Sequence, residues 1–196
     1  MNKKNKTVMK KHIRIIIDVI IFALFIFADQ FTKHLAVLHL KDQKPFIIIK
    51  DVFELNYLEN TGAAFGMLKN QKALFVFISI IVLVIIAVVL LKTPNEKKYS
   101  IFRISLVLIA SGAVGNSLID RVRYDYVVDF LYFKLINFPI FNVADIFVTI
   151  GTALLAIVIL FVYKEEGHFL DSGKRFGCQH ELLWFERLSR YDHILS

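Results

Sequence analysis

Four long apolar segments dominate the pattern of hydrophobic and polar positions along this chain of 196 residues. An α-helix needs about 20 apolar residues to cross the hydrocarbon core of a bilayer, and each segment approaches that length. Strands rarely exceed about ten residues, so length excludes a strand even for the second segment, which is rich in Ile and Val. The pattern predicts a membrane α-helical fold with four transmembrane helices, which cover Ile13–Lys33, Lys72–Leu91, Ile101–Ile119 and Phe138–Tyr163.

The first apolar segment follows a basic N-terminal stretch, as the apolar core of a secretory signal peptide also does. Its end, from Phe25 to Gln30, reads Phe-Ile-Phe-Ala-Asp-Gln and lacks a good small-residue cleavage signal. The segment is also at the long end for a signal-peptide core. We therefore interpret it as a retained membrane helix.

Positive charge gathers at the ends of the apolar segments, and the net charge of the chain is +7. Lys and Arg cluster in the N-terminal tail, in the link between the second and third segments, and after the fourth. Because cytoplasmic segments carry an excess of basic residues, both termini are expected in the cytoplasm, with residues 35–71 and 120–137 outside. This distribution does not form the basic surface that nucleic-acid binding requires, so we expect no nucleic-acid partner.

The first outer segment has the composition of a small sheet. From Pro45 to Leu58, β-branched and aromatic residues partly alternate with polar ones, which predicts strands at the membrane surface. The sequence Asn60-Thr-Gly62 then ends the strand and is expected to start a helical stretch toward the second membrane helix. The prediction is a small extracytoplasmic β-sheet above four helices.

The end of the chain differs in composition from the rest, with Gly, His, charged residues and the single cysteine, Cys178. One cysteine cannot form a disulfide within the chain, and no Cys/His spacing typical of zinc sites occurs. We divide the chain into a membrane domain over residues 1–166 and a polar cytoplasmic tail over residues 167–196, for which the sequence indicates no role.

Three of the acidic residues in or beside apolar segments stand out, since an ionisable group there is costly and is a candidate for function. Asp29 lies near the outer end of the first helix, Asp129 just before the fourth and Asp145 inside the fourth. The loop at residues 133–137 lets Asp129 and Asp145 meet. Two carboxylates in a dry site share one proton and can activate water and protonate a leaving amine, as in aspartic proteases. Alternatively, the two acids cap helices or pair with Arg.

Polar residues near these acids are candidates for supporting roles. Asn142 lies three residues before Asp145, where it can orient a carboxylate or a substrate carbonyl, or satisfy the first amides of the helix. Lys33 is expected to pair with Asp29, one turn earlier, or to reach the interface. A buried Arg121 near two carboxylates would keep one of them ionised. The third helix also carries small residues that allow close helix packing, namely Ser111, Gly112, Ala113 and Gly115.

Four blocks of this sequence resemble those of lipoprotein signal peptidase, also called signal peptidase II or prolipoprotein signal peptidase. The resemblance covers about residues 18–163. Each block alone is weak, whereas four blocks in the same relation to four membrane helices are specific. The blocks are Asp29-Gln-Phe-Thr-Lys33, then Asn60-Thr-Gly-Ala-Ala-Phe65, then Gly112-Ala-Val-Gly-Asn with Asp120-Arg121 and Val127-Val-Asp129-Phe, and finally Phe141-Asn-Val-Ala-Asp145.

The resemblance implies an intramembrane aspartic endopeptidase of the bacterial cytoplasmic membrane. Such an enzyme removes signal peptides from diacylglyceryl-modified prolipoproteins by cutting before the lipidated cysteine. The resemblance implies that the enzyme needs no metal or organic cofactor and that globomycin-type compounds inhibit it. It also implies contact with membrane lipid and an outer sheet that forms a cradle over the site. We expect a monomer. By position, Asp129 and Asp145 match the catalytic pair. The positions that match other family motif residues, which bind substrate or support the site, are Asp29, Lys33, Asn60, Gly62, Asn116, Arg121, Asn142 and Ala144.

The third block departs from the family pattern, which has two residues between the Asn and the Asp-Arg pair. Here three residues, 117–119, separate Asn116 from Asp120. In a regular helix one extra residue turns Asn116 by about 100° away from its face. We predict that a π-type bulge near residues 116–119 absorbs the extra residue, since such bulges occur at functional sites. The alternative is that Ser117 replaces the Asn.

A non-enzymatic function is the main alternative to a peptidase. A four-helix transporter or assembly protein can use buried acids for proton or cation coupling, but would be expected to place an acid near the middle of the membrane. Asp129 and Asp145 lie toward one surface instead. The sequence also lacks the His-Glu-x-x-His motif of zinc hydrolases and the Gly-x-Ser-x-Gly motif of serine hydrolases.

Overall fold

Four helices long and apolar enough to cross a membrane appear in the computed structural model, which describes residues 3–62, 68 and 70–162. The third span combines two α-helices with a π-helical turn between them, and a second π-helical turn, Val158–Val162, follows the last helix. The helices are α1 (Lys3–Leu40), α2 (Lys72–Lys92), α3 (Ser100–Ala113), the π turn (Val114–Asp120), α4 (Arg121–Tyr124) and α5 (Val143–Ile157).

The four predicted spans are confirmed, but three of their ends differ from the prediction by several residues. The third span runs to Tyr124 and not to Ile119. Helix α1 continues beyond Lys33 to Leu40 because the residues after Lys33 remain apolar, and Ala36 packs in a core cluster with the sheet. Helix α5 begins at Val143 and not at Phe138. Pro139 has no N–H to donate and disfavours helical backbone in the residue before it, so residues 138–141 stay extended.

The third span is the centre of the bundle. In an 18-residue apolar stretch of this span 56% is buried, whereas the corresponding stretches of the other three spans are 11–17% buried. Close packing against α5 depends on Gly112, where a Cβ atom would lie 2.5 Å from the backbone oxygen of Ala144. The prediction that small residues allow close helix approach is therefore confirmed at Gly112.

The outer surfaces of the helices are strongly apolar. Phe27, Phe77 and Val84 have exposed fractions of 65%, 63% and 58%. Soluble proteins rarely expose large contiguous apolar surfaces, whereas lipid solvates them. These surfaces and the four spans identify a multi-pass membrane protein.

One buried ion pair links three helices at the end of the bundle away from the sheet. The Arg103 guanidinium of α3 binds the carboxylate of Asp18 in α1, and its Nη1 donates to the backbone oxygen of Leu90 in α2 at 2.9 Å. Both charged residues are buried. This pair holds helix ends together, which shows that a buried acid in this chain can have a purely structural role.

A three-stranded antiparallel sheet lies at the opposite end of the bundle, with the order β1-β2-β3. The strands are β1 (Phe46–Ile49), β2 (Phe53–Asn60) and β3 (Val127–Phe133). Val128 and Phe130 of β3 pack on Ala36 of α1, which fixes the sheet against the bundle. The predicted sheet is confirmed, and β3 is an addition to it from a segment for which no strand was predicted.

Two predictions concern residues outside the described part of the chain. The helical stretch expected after Gly62 falls largely on residues 63–67, and the tail over residues 167–196 includes Cys178. The division of the chain at residue 166 therefore stays a prediction.

Candidate active site

Asp129 and Asp145 line one cavity of about 470 Å³ at the junction of the sheet with the helices. Asp129 comes from β3, and Asp145 comes from the first turn of α5. The prediction that the two acids meet is therefore confirmed, although no strand was predicted at Asp129. Other predicted residues that line the cavity are Asn60, Gly62, Asn116 and Arg121.

Asp129 is 2% exposed and accepts a hydrogen bond on each carboxylate oxygen. Its Oδ1 accepts from Asn142 Nδ2 at 2.6 Å, and its Oδ2 accepts from Asn60 Nδ2 at 2.8 Å. Asn60 ends β2, the strand that pairs with β3. Asn142 reaches Asp129 because the chain reverses after β3 and Phe141 exchanges two backbone hydrogen bonds with Leu131.

Asp145 is held by a reciprocal cap at the start of α5. Its backbone N–H donates to Asn142 Oδ1 at 3.0 Å, and its Oδ2 accepts from the backbone N–H of Asn142 at 3.1 Å. This pairing of the residue before a helix with the third helical residue is a capping box. The other oxygen, Oδ1, accepts from Asn116 Nδ2 at 2.8 Å. Asn142 therefore fulfils both roles expected of it, since it orients a carboxylate and satisfies a helix amide.

Three asparagines surround the acid pair, and a separate donor fixes the orientation of each side-chain amide. The carbonyl oxygens of Asn60 and Asn142 accept from the backbone N–H groups of Gly62 and Asp145, at 2.9 Å and 3.0 Å. The carbonyl oxygen of Asn116 accepts from a lysine ammonium. Because an amide that accepts through its oxygen must turn its NH₂ group the other way, all three NH₂ groups point to the aspartates.

Lys33 is the lysine that fixes Asn116, and its ammonium is 2.6 Å from Asn116 Oδ1. The same ammonium lies 2.9 Å from Asp29 Oδ2 and 2.8 Å from Asp120 Oδ2. Lys33 is 3% exposed, so it pairs in the interior and does not extend to the interface. All three ammonium protons thus have a partner, and one positive charge faces two buried carboxylates.

Asp29 connects α1 to the start of α5. Its Oδ1 accepts a hydrogen bond from the backbone N–H of Ala144 at 2.9 Å, and both residues are fully buried. The carboxylate fits beside α3 and its π turn because Gly115 has no side chain; a Cβ atom there would collide with Asp29. Asp29 and Ala144 therefore position the helix that carries Asp145 and do not line the cavity.

The π-helical turn predicted in the third span is confirmed, over Val114–Asp120. Arg121 lies five positions after Asn116, a spacing that a π-helix, with its i→i+5 hydrogen bonds, places on one face. Both residues line the cavity, and Asn116 contacts Asp145. The alternative, in which Ser117 replaces Asn116, is wrong.

Arg121 is buried at the cavity wall. Its Nη2 donates to the backbone oxygen of Gly62 at 2.5 Å, and its guanidinium stacks over Phe75 at 4.2 Å from the ring centre. Its Nη1 is also buried but has no hydrogen-bond partner among the described residues. A buried donor without a partner is costly and rare, so this atom is available to a ligand.

Burial and then the nearby carboxylate of Asp145 raise the pKa of Asp129 to about 7, although hydrogen bonds from Asn60 and Asn142 act in the opposite direction. A carboxyl group with this pKa is partly protonated at neutral pH, which suits it to exchange protons with a substrate. The described residues contain no group of three or more His, Cys, Asp or Glu side chains arranged to hold a metal ion.

Two residues of this network, the partly buried Gln30 and the buried Asp120, were absent from the predicted site. Gln30 donates from Nε2 to Asp29 Oδ2 at 3.1 Å and to Asp120 Oδ1 at 2.9 Å. Asp120 also accepts from the backbone N–H of Val128 at 3.4 Å, which ties the third span to β3. The sequence could have identified both as site residues, because each is a polar residue beside a recognised motif position in an apolar segment.

Comparison with known proteins gives consistent matches over most of the chain. Residues 21–161 match the family described as signal peptidase (SPase) II. The lipoprotein signal peptidase of Clostridium tetani is 45% identical over 154 residues, covering 77% of this chain and 95% of that protein. The lipoprotein signal peptidase of Caldanaerobacter subterraneus subsp. tengcongensis is 43% identical over 144 residues, covering 73% and 95%.

Two solved structures, each described as a bacterial membrane enzyme, have a similar fold. One, at 2.3 Å resolution, gives a TM-score of 0.68 at 28% identity and covers 82% of this chain and 94% of its own. The other, at 1.9 Å resolution, gives a TM-score of 0.65 at 31% identity, with coverages of 74% and 92%. The alternative of an ion-coupled transporter has no support in these comparisons. The chain belongs to the signal peptidase II family, the lipoprotein signal peptidases, which are proteases that cleave signal peptides from prolipoproteins.

Proposed function

We propose that this protease is an aspartic endopeptidase and that Asp129 and Asp145 are its catalytic residues. The observation that carries the proposal is the pair of carboxylates on one cavity, each fixed by two hydrogen-bond donors. Asparagine donors hold the carboxylates in place without adding a positive charge that would neutralise them. The pair can therefore share one proton across a water molecule, as two close carboxylates in a dry site do.

In the proposed reaction, the ionised carboxylate takes a proton from a water molecule as the water oxygen attacks the scissile carbonyl carbon. The protonated carboxyl donates its proton to the carbonyl oxygen, which gives a tetrahedral diol. The carbon–nitrogen bond then breaks as the pair gives a proton to the leaving amine, and one hydroxyl of the diol returns its proton to the pair as the carboxyl product forms. The pair ends with one proton, as it began, so the cycle is balanced.

We propose that Asp129 carries the shared proton in the resting enzyme and that Asp145 carries the charge. Asp145 lies in the first turn of α5, where the N-terminal end of the helix dipole favours a negative charge. It also accepts from a backbone N–H, and the ammonium of Lys33 lies behind its partner Asn116. Asp129 lies in strand β3 and not at the start of a helix, so no helix dipole favours its negative charge. Its pKa of about 7 is consistent with a retained proton.

Arg121 and Gly62 are proposed to hold the substrate backbone beside the pair. The free Nη1 of Arg121 is a donor for a peptide carbonyl, while its Nη2 keeps the Gly62 segment in place. Apolar residues complete the cavity, among them Ile146 and Ile150, and Ile150 is 47% exposed on the lipid-facing side of α5. This apolar wall suits a lipid-modified cysteine whose acyl chains stay in the bilayer.

The remaining proposals concern the cellular setting. The basic residues at the end of the bundle away from the sheet support a cytoplasmic location for the termini and an outward-facing active site. The substrate is then a diacylglyceryl-modified prolipoprotein that arrives laterally in the outer leaflet of the bacterial cytoplasmic membrane. We further propose that globomycin-type inhibitors occupy the same cavity and that the enzyme acts as a monomer.

The rate of cleavage is expected to fall as the pH rises through about 7. The pKa of Asp129 is raised, so its proton is present below about pH 7 and is lost above it, and the reaction needs that proton. Above this pH, kcat/KM should fall about tenfold per pH unit, because kcat/KM reports the ionisations of the free enzyme. The measurement is a profile of kcat/KM against pH on a substrate peptide without titratable groups near the cut. A constant kcat/KM up to pH 9 would contradict the proposed role of Asp129.

Deleting Ser117 is expected to retain cleavage, to within about tenfold of the wild-type rate, because the π turn can close to a regular helix. Asn116 and the arginine would then lie four residues apart, still on one face. Inserting a further alanine after Leu118 should instead turn Asn116 by about 100° and lower kcat by about 10²-fold. Both variants would be compared by rate and by melting temperature in detergent. Loss of activity in a folded deletion variant would contradict this account of the turn.

A further inference from the structure

The edge of the sheet carries an apolar surface that no residue in the described part of the chain covers. All four residues of β1, Phe46–Ile49, are 50–62% exposed, and Leu135 and Ile136 are each 69% exposed. The two groups adjoin, because the backbone N–H of Leu135 donates to the oxygen of Val52 in the turn after β1, at 3.3 Å. We call these six residues the apolar edge.

The apolar edge lies close to the membrane surface that the helices define. Helix α1 ends at Leu40, and the chain turns at once, since the backbone N–H of Gln43 donates to the oxygen of Leu40 at 3.2 Å. Five residues separate Leu40 from Phe46, a distance of at most about 20 Å. Ile136 likewise lies just before α5. Short links therefore tie both parts of the apolar edge to the ends of membrane helices.

We propose that the apolar edge inserts into the bilayer on the sheet side, at the boundary between lipid headgroups and acyl chains. The edge inserts because both faces of β1 are apolar and exposed, which suits a strand that enters lipid edge-on. The insertion stays shallow, because β1 is the outer strand of the sheet and its free N–H and C=O groups need water or headgroup partners. A depth of about 5–10 Å below the lipid phosphates satisfies both requirements.

Two lysines support lipid as the partner. Lys44 and Lys50 flank β1, both are exposed, and neither forms an ion pair with any residue that the structure describes. Lysines at this level can bury their methylene groups while the ammonium binds lipid phosphate. A second copy of this chain fits less well, because antiparallel pairing of two β1 strands would bring Lys44 of one copy near Lys50 of the other. Like charges in such positions destabilise a sheet.

The insertion can be measured by the depth of a fluorescent probe, independently of catalysis. Single cysteines would be introduced as Ile48→Cys at the apolar edge, Phe77→Cys on the lipid-facing side of α2, and Arg123→Cys at the exposed end of the third span, all in a Cys178→Ser background. Each would carry a small environment-sensitive fluorophore. The vesicles would contain phosphatidylcholine with about one quarter phosphatidylglycerol as the anionic lipid.

The probe at Ile48 should be quenched by nitroxides on the upper part of the lipid chains and not by aqueous iodide, at a depth of about 5–10 Å. Phe77 should report a deeper position, and Arg123 should be open to iodide. Iodide quenching at Ile48 equal to that at Arg123 would overturn the proposal. Protection of Ile48 from both quenchers would also overturn it, since protein and not lipid would then cover the edge.

A second variant tests whether the edge acts as a unit. With the probe at Ile136→Cys, Ile48→Asp should raise iodide quenching by about threefold because a charged strand cannot stay at the boundary. Melting temperature in detergent would verify that the variant is folded. Unchanged quenching at residue 136 in a folded variant would overturn the proposal.

Discussion

Replacing Asp129 or Asp145 with Asn is expected to lower kcat by about 10³–10⁴-fold, because each variant keeps the shape of the side chain and removes an acid–base group. The Asp129 variant should lose some stability at low pH, because its new NH₂ group faces the NH₂ group of Asn60 or Asn142 and cannot accept from it. The pKa of Asp129 is raised to about 7, so its ionisation destabilises the folded wild type increasingly as the pH rises from about 4 to 7. The Asn variant lacks that penalty, so its melting temperature relative to the wild type should rise between pH 4 and pH 8.

Asp125→Asn is the matched control for these variants. Asp125 follows α4, its side chain is 80% exposed, and its backbone has a φ of 68°, a conformation that Asn adopts readily. This variant should keep both the wild-type rate and the wild-type melting temperature. If the Asp129 variant is inactive but also unfolds, the loss of activity reports folding. If it is folded and cleaves normally, Asp129 is not a catalytic residue.

Replacing Lys33 with Met is expected to destabilise the folded protein by about 3–5 kcal/mol, because it leaves two buried carboxylates without their cation. Asp29 and Asp120 both lose an ion pair of 2.8–2.9 Å, and Asn116 loses the donor that fixes its amide. The variant should therefore also cleave more slowly. The free energy of unfolding in mixed micelles and kcat measure the two effects separately.

Lys41→Met serves as the control for Lys33→Met. Lys41 pairs with Glu59 at 2.8 Å, but both side chains are roughly 40% exposed, so water can replace the partner. No resolvable change in stability is expected. Adding Asp120→Asn to the Lys33→Met variant removes one uncompensated charge and should recover part of the lost stability. Equal stability of the Lys33 and Lys41 variants would show that the buried cluster has no stabilising role.

The sequence predicted the helices well because a span needs a long apolar segment, which composition reveals directly. It predicted the end of α1 and the start of α5 less well, because these depend on tertiary contacts. Ala36 of α1 packs on the sheet, and the Asn142 cap at the start of α5 directly follows Phe141, which pairs with β3. Strand β3 was missed because its partner, β2, is distant in sequence and its third residue, Asp129, is an acid.

The candidate site could be predicted as a set of residues but not as a set of contacts. Motif positions and the cost of polar groups in lipid identified the acids and asparagines. The same reasoning could not distinguish Asp18, which pairs with Arg103 far from the cavity, from an acid of the site. Nor could it show that Lys33 binds Asn116 and thereby directs an amide toward Asp145. The π turn was predictable because an insertion in a helix must either rotate a residue or be absorbed locally.

The most direct test is cleavage of a synthetic prolipoprotein peptide, with and without diacylglyceryl on its cysteine, by the purified protein in lipid micelles. Mass spectrometry would identify the cut and compare the wild type with the Asp129→Asn/Asp145→Asn double variant. The account predicts a single cut immediately before the lipidated cysteine, little cleavage of the unmodified peptide, and none by the folded double variant. Cleavage by the folded double variant at the wild-type position would contradict the account.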